Sequence, residues 1–304
     1  MVRPFGLQQA SRFALFLAMA VGFSAADSPR VRAEESPTDD FQLIVMDPLA
    51  APLACDCVEG YAQRKYEKLG EYLEAFVGRP VNVVFVNAIE NALEEKTGGR
   101  ADLVIGKHSV VLADAKKNGL ALSPVASLTG PDGETTQKGL IVVPADDPAE
   151  SVSELEGYRI FFGPADCDEK SAAPMKLLRD AGVTIPDDAE TCPACSDAAV
   201  KVLELGPDVR CAAVISSYAQ PLLEGCGTVK KGDLRVVGES EEVPFITAFV
   251  SDDLTKADFE KVTAGLNEVQ YDIQMLIALE SKLGFVAVET GDDAAEGDVA
   301  KKKG

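Results

Sequence analysis

Residues Tyr158–Gly182 read YRIFFGPADCDEKSAAPMKLLRDAG. An apolar run of strand length, Tyr158–Phe162, meets a Gly-Pro turn and a polar loop, then an amphipathic helix that stops at Gly182. A strand that ends in a polar loop at a helix N-terminus is where open α/β sheets hold ligands, because loop N–H groups converge there. Much of the remaining sequence repeats this unit.

Upstream, Phe41–Met46 (FQLIVM) has strand character, and a Pro/Ala-rich loop leads from it to Cys55-Asp56-Cys57. Tyr66, Leu69, Leu73 and Phe76 recur at spacings of three and four, which predicts one helix over Val58–Val77 ended by Gly78. Val81–Val86 is the next strand, Ala88–Lys96 a helix, and Ala101–Ile105 a third strand. The loop Gly106-Lys107-His108-Ser109 then opens another helix. This βαβαβα order implies parallel strands with right-handed crossovers. Ala121–Gln137 is less regular. Strands are expected at Gly139–Val143, Val209–Ser216, Leu234–Val237 and Ile246–Val250. Helices are expected at Val152–Glu156, Asp197–Leu205, Lys256–Leu266 and Val269–Leu283.

Two βα-rich halves with helices returning at the end predict an α/β fold of two lobes, each a mostly parallel sheet flanked by helices. Two crossing strands near Gly139 and Pro244 would join them as a hinge. The expected boundaries are 41–138 with 245–288 for a discontinuous first lobe and 139–244 for the second. A mobile leader at 27–40 and a disordered tail at 289–304 flank them.

Residues 1–26 have the form of a secretory signal: Arg3 and Arg12, the short apolar run Phe13–Val21, and Ser24-Ala25-Ala26 as a cleavage site. Its removal leaves 27 basic against 50 acidic residues, a net charge of −23. Such acidity disfavours nucleic acid and anionic membranes as partners, and leaves a small anion in a locally different cleft open. The expected product is exported, periplasmic for example, and does not span a membrane.

All seven cysteines follow residue 54. In an oxidising compartment most are expected to pair as disulfides, with an odd one left over. The competing reading gathers Cys55, Cys57, His108, Cys167, Cys192 and Cys195 on converging loops as a soft-metal site. A third reading takes Cys192-Pro193-Ala194-Cys195, ahead of a helix, as a redox pair. With one histidine, no Ser-His-Asp wording and no P-loop, an enzyme is not expected, and neither is a cofactor.

The wording also resembles a known family, the phosphonate/phosphite-type periplasmic binding proteins of ABC importers, which have the type II solute-binding fold. The resemblance lies in Tyr66–Val84, in Gly99–Ala113 (GRADLVIGKHSVVLA) and in Ser153–Pro174 (SELEGYRIFFGPADCDEKSAAP). Ser196–Gly206 and Pro244–Leu254 extend it over roughly 41–283. It implies a small polar ligand, with an oxyanion among the candidates, passed to a membrane permease. The implied ligand-binding residues are Lys107, His108, Ser109, Asp166, Lys170, Ser171, Ser196 and Arg210. Two departures argue against carrying over phosphonate itself. The family's Ser/Thr-rich loop reads Asp166-Cys167-Asp168-Glu169-Lys170-Ser171 here, and Arg210 stands where the family commonly has Asp.

Overall fold

The computed structural model describes residues 39–54, 62–206 and 208–288. The first lobe is built on a six-stranded sheet. Its parallel centre is β1 (Phe41–Met46) between β2 (Val81–Phe85) and β3 (Leu103–Lys107), with Ile44 facing both Val84 and Val104. Leu43 and Val45 pack into one apolar cluster, Ile44 and Met46 into another. Both faces of the strand are therefore buried, which is why its sequence runs apolar without alternation.

Helix α1 (Tyr66–Val77) covers one face by burying Tyr66, Leu69, Leu73 and Val77. Phe76, expected on that stripe, is only half-buried and packs on Tyr72 with ring centroids 5.2 Å apart. Gly78 ends the helix at φ 78°, its N–H on the Glu74 carbonyl, a backbone shape that glycine adopts without strain. The helix starts at Tyr66 rather than Val58. Residues 58–61 lie outside the described residues, and Arg64 just before the helix forms an extended bridge with Ala50. Helices α2 (Ile89–Glu95) and α3 (His108–Lys117) follow β2 and β3. Strand β3 runs two residues further than the sequence suggests, so Lys107 ends the strand and no loop precedes α3.

The irregular span 121–137 contains strand β4 (Leu122–Leu128) and the two-residue β5 (Thr136–Gln137). The chain then enters the second lobe as β6 (Gly139–Pro144). β6 pairs antiparallel with β8 (Cys211–Ser216) and β9 (Leu234–Glu239), and β7 (Arg159–Phe161) lies parallel to β8. Helices α4 (Ala172–Asp180), α5 (Cys195–Leu205) and α6 (Ala219–Gly225) complete this lobe. The return passes through β10 (Val243–Pro244), which pairs antiparallel with β5, into β11 (Ile246–Ser251). β11 inserts antiparallel between β3 and β4. The two crossings expected near Gly139 and Pro244 thus lie side by side.

The chain closes with α7 (Lys256–Glu268), α8 (Ile273–Ala278) and β12 (Phe285–Val286) on the edge of β4. The helix expected over Val269–Leu283 is broken at Asp272, whose side chain accepts from the N–H groups of Gln274 and Met275 and so starts α8. Both sheets are mixed, not mostly parallel. Each lobe holds antiparallel strands delivered by the hinge crossings, a consequence that βα periodicity does not carry. No helix among the described residues is long and apolar enough to cross a membrane.

Candidate ligand-binding cleft

A cleft of about 610 Å³ opens between the lobes. From the first lobe, Met46 and Leu49 at the end of β1, Lys107 and Val110 line it. Lys170, Cys195, Ser196, Tyr218 and Leu223 line it from the second. The volume suits a small molecule.

The loop after β1 is held by a buried polar cluster. Asp47, fully buried, accepts from Arg64 Nη1 at 2.8 Å, from the Tyr66 hydroxyl at 2.6 Å and from the Leu49 N–H at 2.8 Å. A buried carboxylate is tolerated when its lone pairs are filled in this way. The cluster fixes where Leu49 meets the cleft.

A second cluster joins the lobes. Lys107, at the buried end of β3, reaches across to Glu169, which lies in the 3₁₀ turn Asp168–Lys170 ahead of α4. Glu169 is 1% exposed. The same Oε1 accepts from Ser216 Oγ at 2.8 Å, and Oε2 accepts from the Cys167 thiol at 3.1 Å. Lys107 Nζ lies 3.4 Å from Cys167 Sγ and 5.3 Å from the Tyr218 ring centroid. Tyr218 in turn stacks on Phe245 at 5.0 Å.

Burial opposes the charge on Glu169, but the Lys107 ammonium and the two neutral donors, Cys167 and Ser216, outweigh it and hold the carboxyl below its usual value. Burial likewise opposes the charge on Lys107. Tyr218, Glu169 and Cys167 more than offset it and leave the ammonium above the usual lysine value. Tyr218 is itself pushed upward by burial and is a neutral phenol at pH 7, so Glu169 is the counter-charge that matters there. Burial pushes the Cys167 thiol up to about 12, so it stays protonated and donates. The pair is therefore charged at neutral pH.

Gly163 N–H donates to the Lys170 carbonyl at 2.8 Å and ties the turn to the end of β7. Gly139 lets the turn sit against β6, since a Cβ there would lie 2.0 Å from the Glu169 carbonyl oxygen.

The other anticipated residues are divided between cleft and scaffold. Asp166, Lys170 and Ser196 line the cleft, and Lys170 Nζ also donates to the Pro193 carbonyl at 3.0 Å. Ser109 Oγ donates to the Asp166 carbonyl at 2.8 Å and accepts from the Asp168 N–H at 3.1 Å, a second bond between lobes. His108 turns back on its own lobe, with Nδ1 3.1 Å from Thr247 Oγ1 and its ring against Phe249. Burial pushes its pKa down, with Asp168 a partial counterweight, so it is neutral near pH 7. Ser171 is buried before α4 and makes no side-chain cap. Arg210 is exposed just ahead of β8, at the opposite end of that strand from Ser216, and so away from the cleft.

The cysteine readings change too. Cys167, Cys192, Cys195, Cys211 and Cys226 are all free, so the disulfides expected among them do not form. Cys192 and Cys211 belong to the second lobe's apolar core, whereas Cys195 Sγ lies 3.3 Å from the Ser216 N–H. Cys55 and Cys57 lie outside the described residues. No group of three or more His, Cys, Asp or Glu side chains among the described residues could hold a metal; His108 is engaged with Thr247, and Cys192 is buried in the second lobe's apolar core. Glu169, Tyr218 and Ser216 were not singled out from sequence. Nothing in Asp166–Ser171 says which of three neighbouring carboxylates turns inward.

Residues 60–294 match the model of the phosphonate periplasmic substrate-binding proteins of ABC transporters. The chain belongs to that family. Members are substrate-binding components, not enzymes, and the chain accordingly has a solute-binding role with an ABC transporter. Among solved structures, a Xanthomonas citri protein, XAC2383, bound to ATP aligns with a TM-score of 0.63 at 16% identity over 86% of this chain and 95% of its own. A binding protein component of an ABC phosphonate transporter from Pseudomonas aeruginosa gives 0.60 at 14% identity, over 86% of each chain. PhnD1 from Prochlorococcus marinus, in complex with methylphosphonate, gives 0.59 at 13% over 86% of this chain and 97% of its own. At these identities the likeness is one of fold. No curated protein matches the sequence. The fold supports the type II solute-binding architecture for this member of the phosphonate-binding family, and a metal or redox role is not favoured.

Proposed function

We propose that this chain is exported behind residues 1–26 and closes its lobes, 41–138 with 245–288 against 139–244, over a small solute. The observation that carries this reading is the cleft of about 610 Å³ lined from both lobes. Lys170, Ser196 and Asp166 supply the polar contacts, and Met46, Leu49, Val110 and Leu223 the apolar ones. The solute that fits has an apolar body and one polar head that meets Lys170. Lys107 and Ser109 act mainly as closure contacts between the lobes. The family's description and the methylphosphonate-bound relative make phosphonates the first class to test. The closed, loaded form would then dock on a membrane permease.

The test pairs a thermal-shift screen of small phosphonates, sulfonates, carboxylates and amines with solution scattering. A hit should raise the melting temperature and reduce the radius of gyration. A protein that melts and scatters identically with every class would overturn the reading. Fractionation of the native host, with N-terminal sequencing of the mature chain, tests export. A mature chain that begins at Met1 would refute it.

A further inference from the structure

The point where Lys107 Nζ, Ser216 Oγ and the Cys167 thiol converge is an oxyanion position by its chemistry: one buried cation and two neutral donors aimed at a single place. It is occupied by the chain's own side chain. We propose that Glu169 is the cleft's resident anion and its specificity-determining residue. Its carboxylate fills the position built by Lys107, Ser216 and Cys167, and the natural solute brings no phosphonate-type group there. This rests on the cleft being the solute site and narrows what that site accepts.

Three observations carry it. Glu169 is sealed from water, so it is not a surface carboxylate that swings aside at no cost. Both of its oxygens are engaged, Oε1 by Lys107 and Ser216 and Oε2 by Cys167, so the carboxylate is held in place against the ammonium that lines the cleft. Its backbone cannot withdraw either, since the turn is packed against Gly139 and bonded to Gly163. A doubly charged head placed beside this ion pair would meet a negative charge already in place. Lys170, whose partner is a carbonyl oxygen, is the cation still available to the solute.

The substitution Glu169→Ala removes a CH₂–COO⁻ group and leaves a positively charged vacancy of roughly acetate or methylphosphonate size. Titration calorimetry with those two anions should find no binding at the Lys107 position in the wild type. The E169A variant should bind each at least about tenfold more tightly, with a rise in melting temperature that wild type lacks. Glu169→Gln fills the same space without charge and should gain nothing, and Lys107→Met combined with E169A should abolish the gain. If E169A folds only when anion is supplied, that rescue also supports the proposal, while a variant that stays unfolded with anion present counts against it. Wild-type protein that binds methylphosphonate in a manner abolished by Lys107→Met overturns the proposal and leaves the solute-binding reading standing. The converse case is anion gain in E169A with no solute response in the wild type, which would sink the solute reading alone.

Discussion

At the scale of single residues, charge inside this protein is held by matching donors, and removing one partner is more costly than never having had the pair. Asp47 is the clearest case. Truncating it to Ala strands the Arg64 guanidinium, 2% exposed, and the Tyr66 hydroxyl together. A loss of about 3–5 kcal/mol is expected from denaturant unfolding, and a loss under 1 kcal/mol would mean the cluster is wetter than described. Glu169 makes a pH prediction. Its folded value is lowered, so its ionisation stabilises above the unfolded carboxyl value of about 4.3, and that contribution disappears as pH falls through the folded value. The melting-temperature gap between wild type and E169Q should therefore shrink as pH falls below that range. A constant gap would show that Glu169 is already neutral. His108 has the same sign in a different window. Its lowered value means acid favours the unfolded chain just below pH 6.5, so stability should rise with pH there.

At the scale of elements, sequence reading succeeded where burial has a period and failed where it does not. Tyr66, Leu69 and Leu73 advertised α1 because one face of a helix is buried, and β1 advertised itself as an unbroken apolar run because both faces of its sheet are covered. Strand β4 lacks a clear pattern because Pro124 and two serines interrupt it, which is tolerated because β12 pairs only with Ser127 and Leu128 and the register shifts beside Phe249. Helix α6 is seven residues long and contains Pro221, too short to show a stripe. The cleft followed the same rule. Lys170 and Ser196, expected near the ligand from the family resemblance, line the cleft, whereas Glu169 is one of three neighbouring carboxylates in the sequence and Arg210 stands at the other end of β8 from Ser216. The close approach of the Asp168–Lys170 turn to β6 gives this scale its own prediction. Gly139→Ala must displace the Glu169 carbonyl, and a loss of about 1–3 kcal/mol is expected by thermal or denaturant melting. Unchanged stability would mean the turn has slack, and Glu169 with it.

At the scale of the whole molecule, a net charge of −21 over 304 residues sets a background of self-repulsion. Raising salt from about 10 mM to about 150 mM shortens the screening length from about 30 Å to about 8 Å. The melting temperature should rise over that range, and a fall would show that attractive pairs such as Arg79–Asp258 outweigh the repulsion. The lobes themselves are joined by two adjacent backbone strips, β5 and β10, paired over only two residues each. Pro244, having no N–H, can add no further donor to that ribbon. Two straps laid edge to edge flex easily out of their common plane and resist sliding past each other. A ribbon of that form favours bending about one axis. Under the closure proposed above, opening would part Lys107 and Glu169 along one arc, and each return would bring the same ammonium back to the same carboxylate.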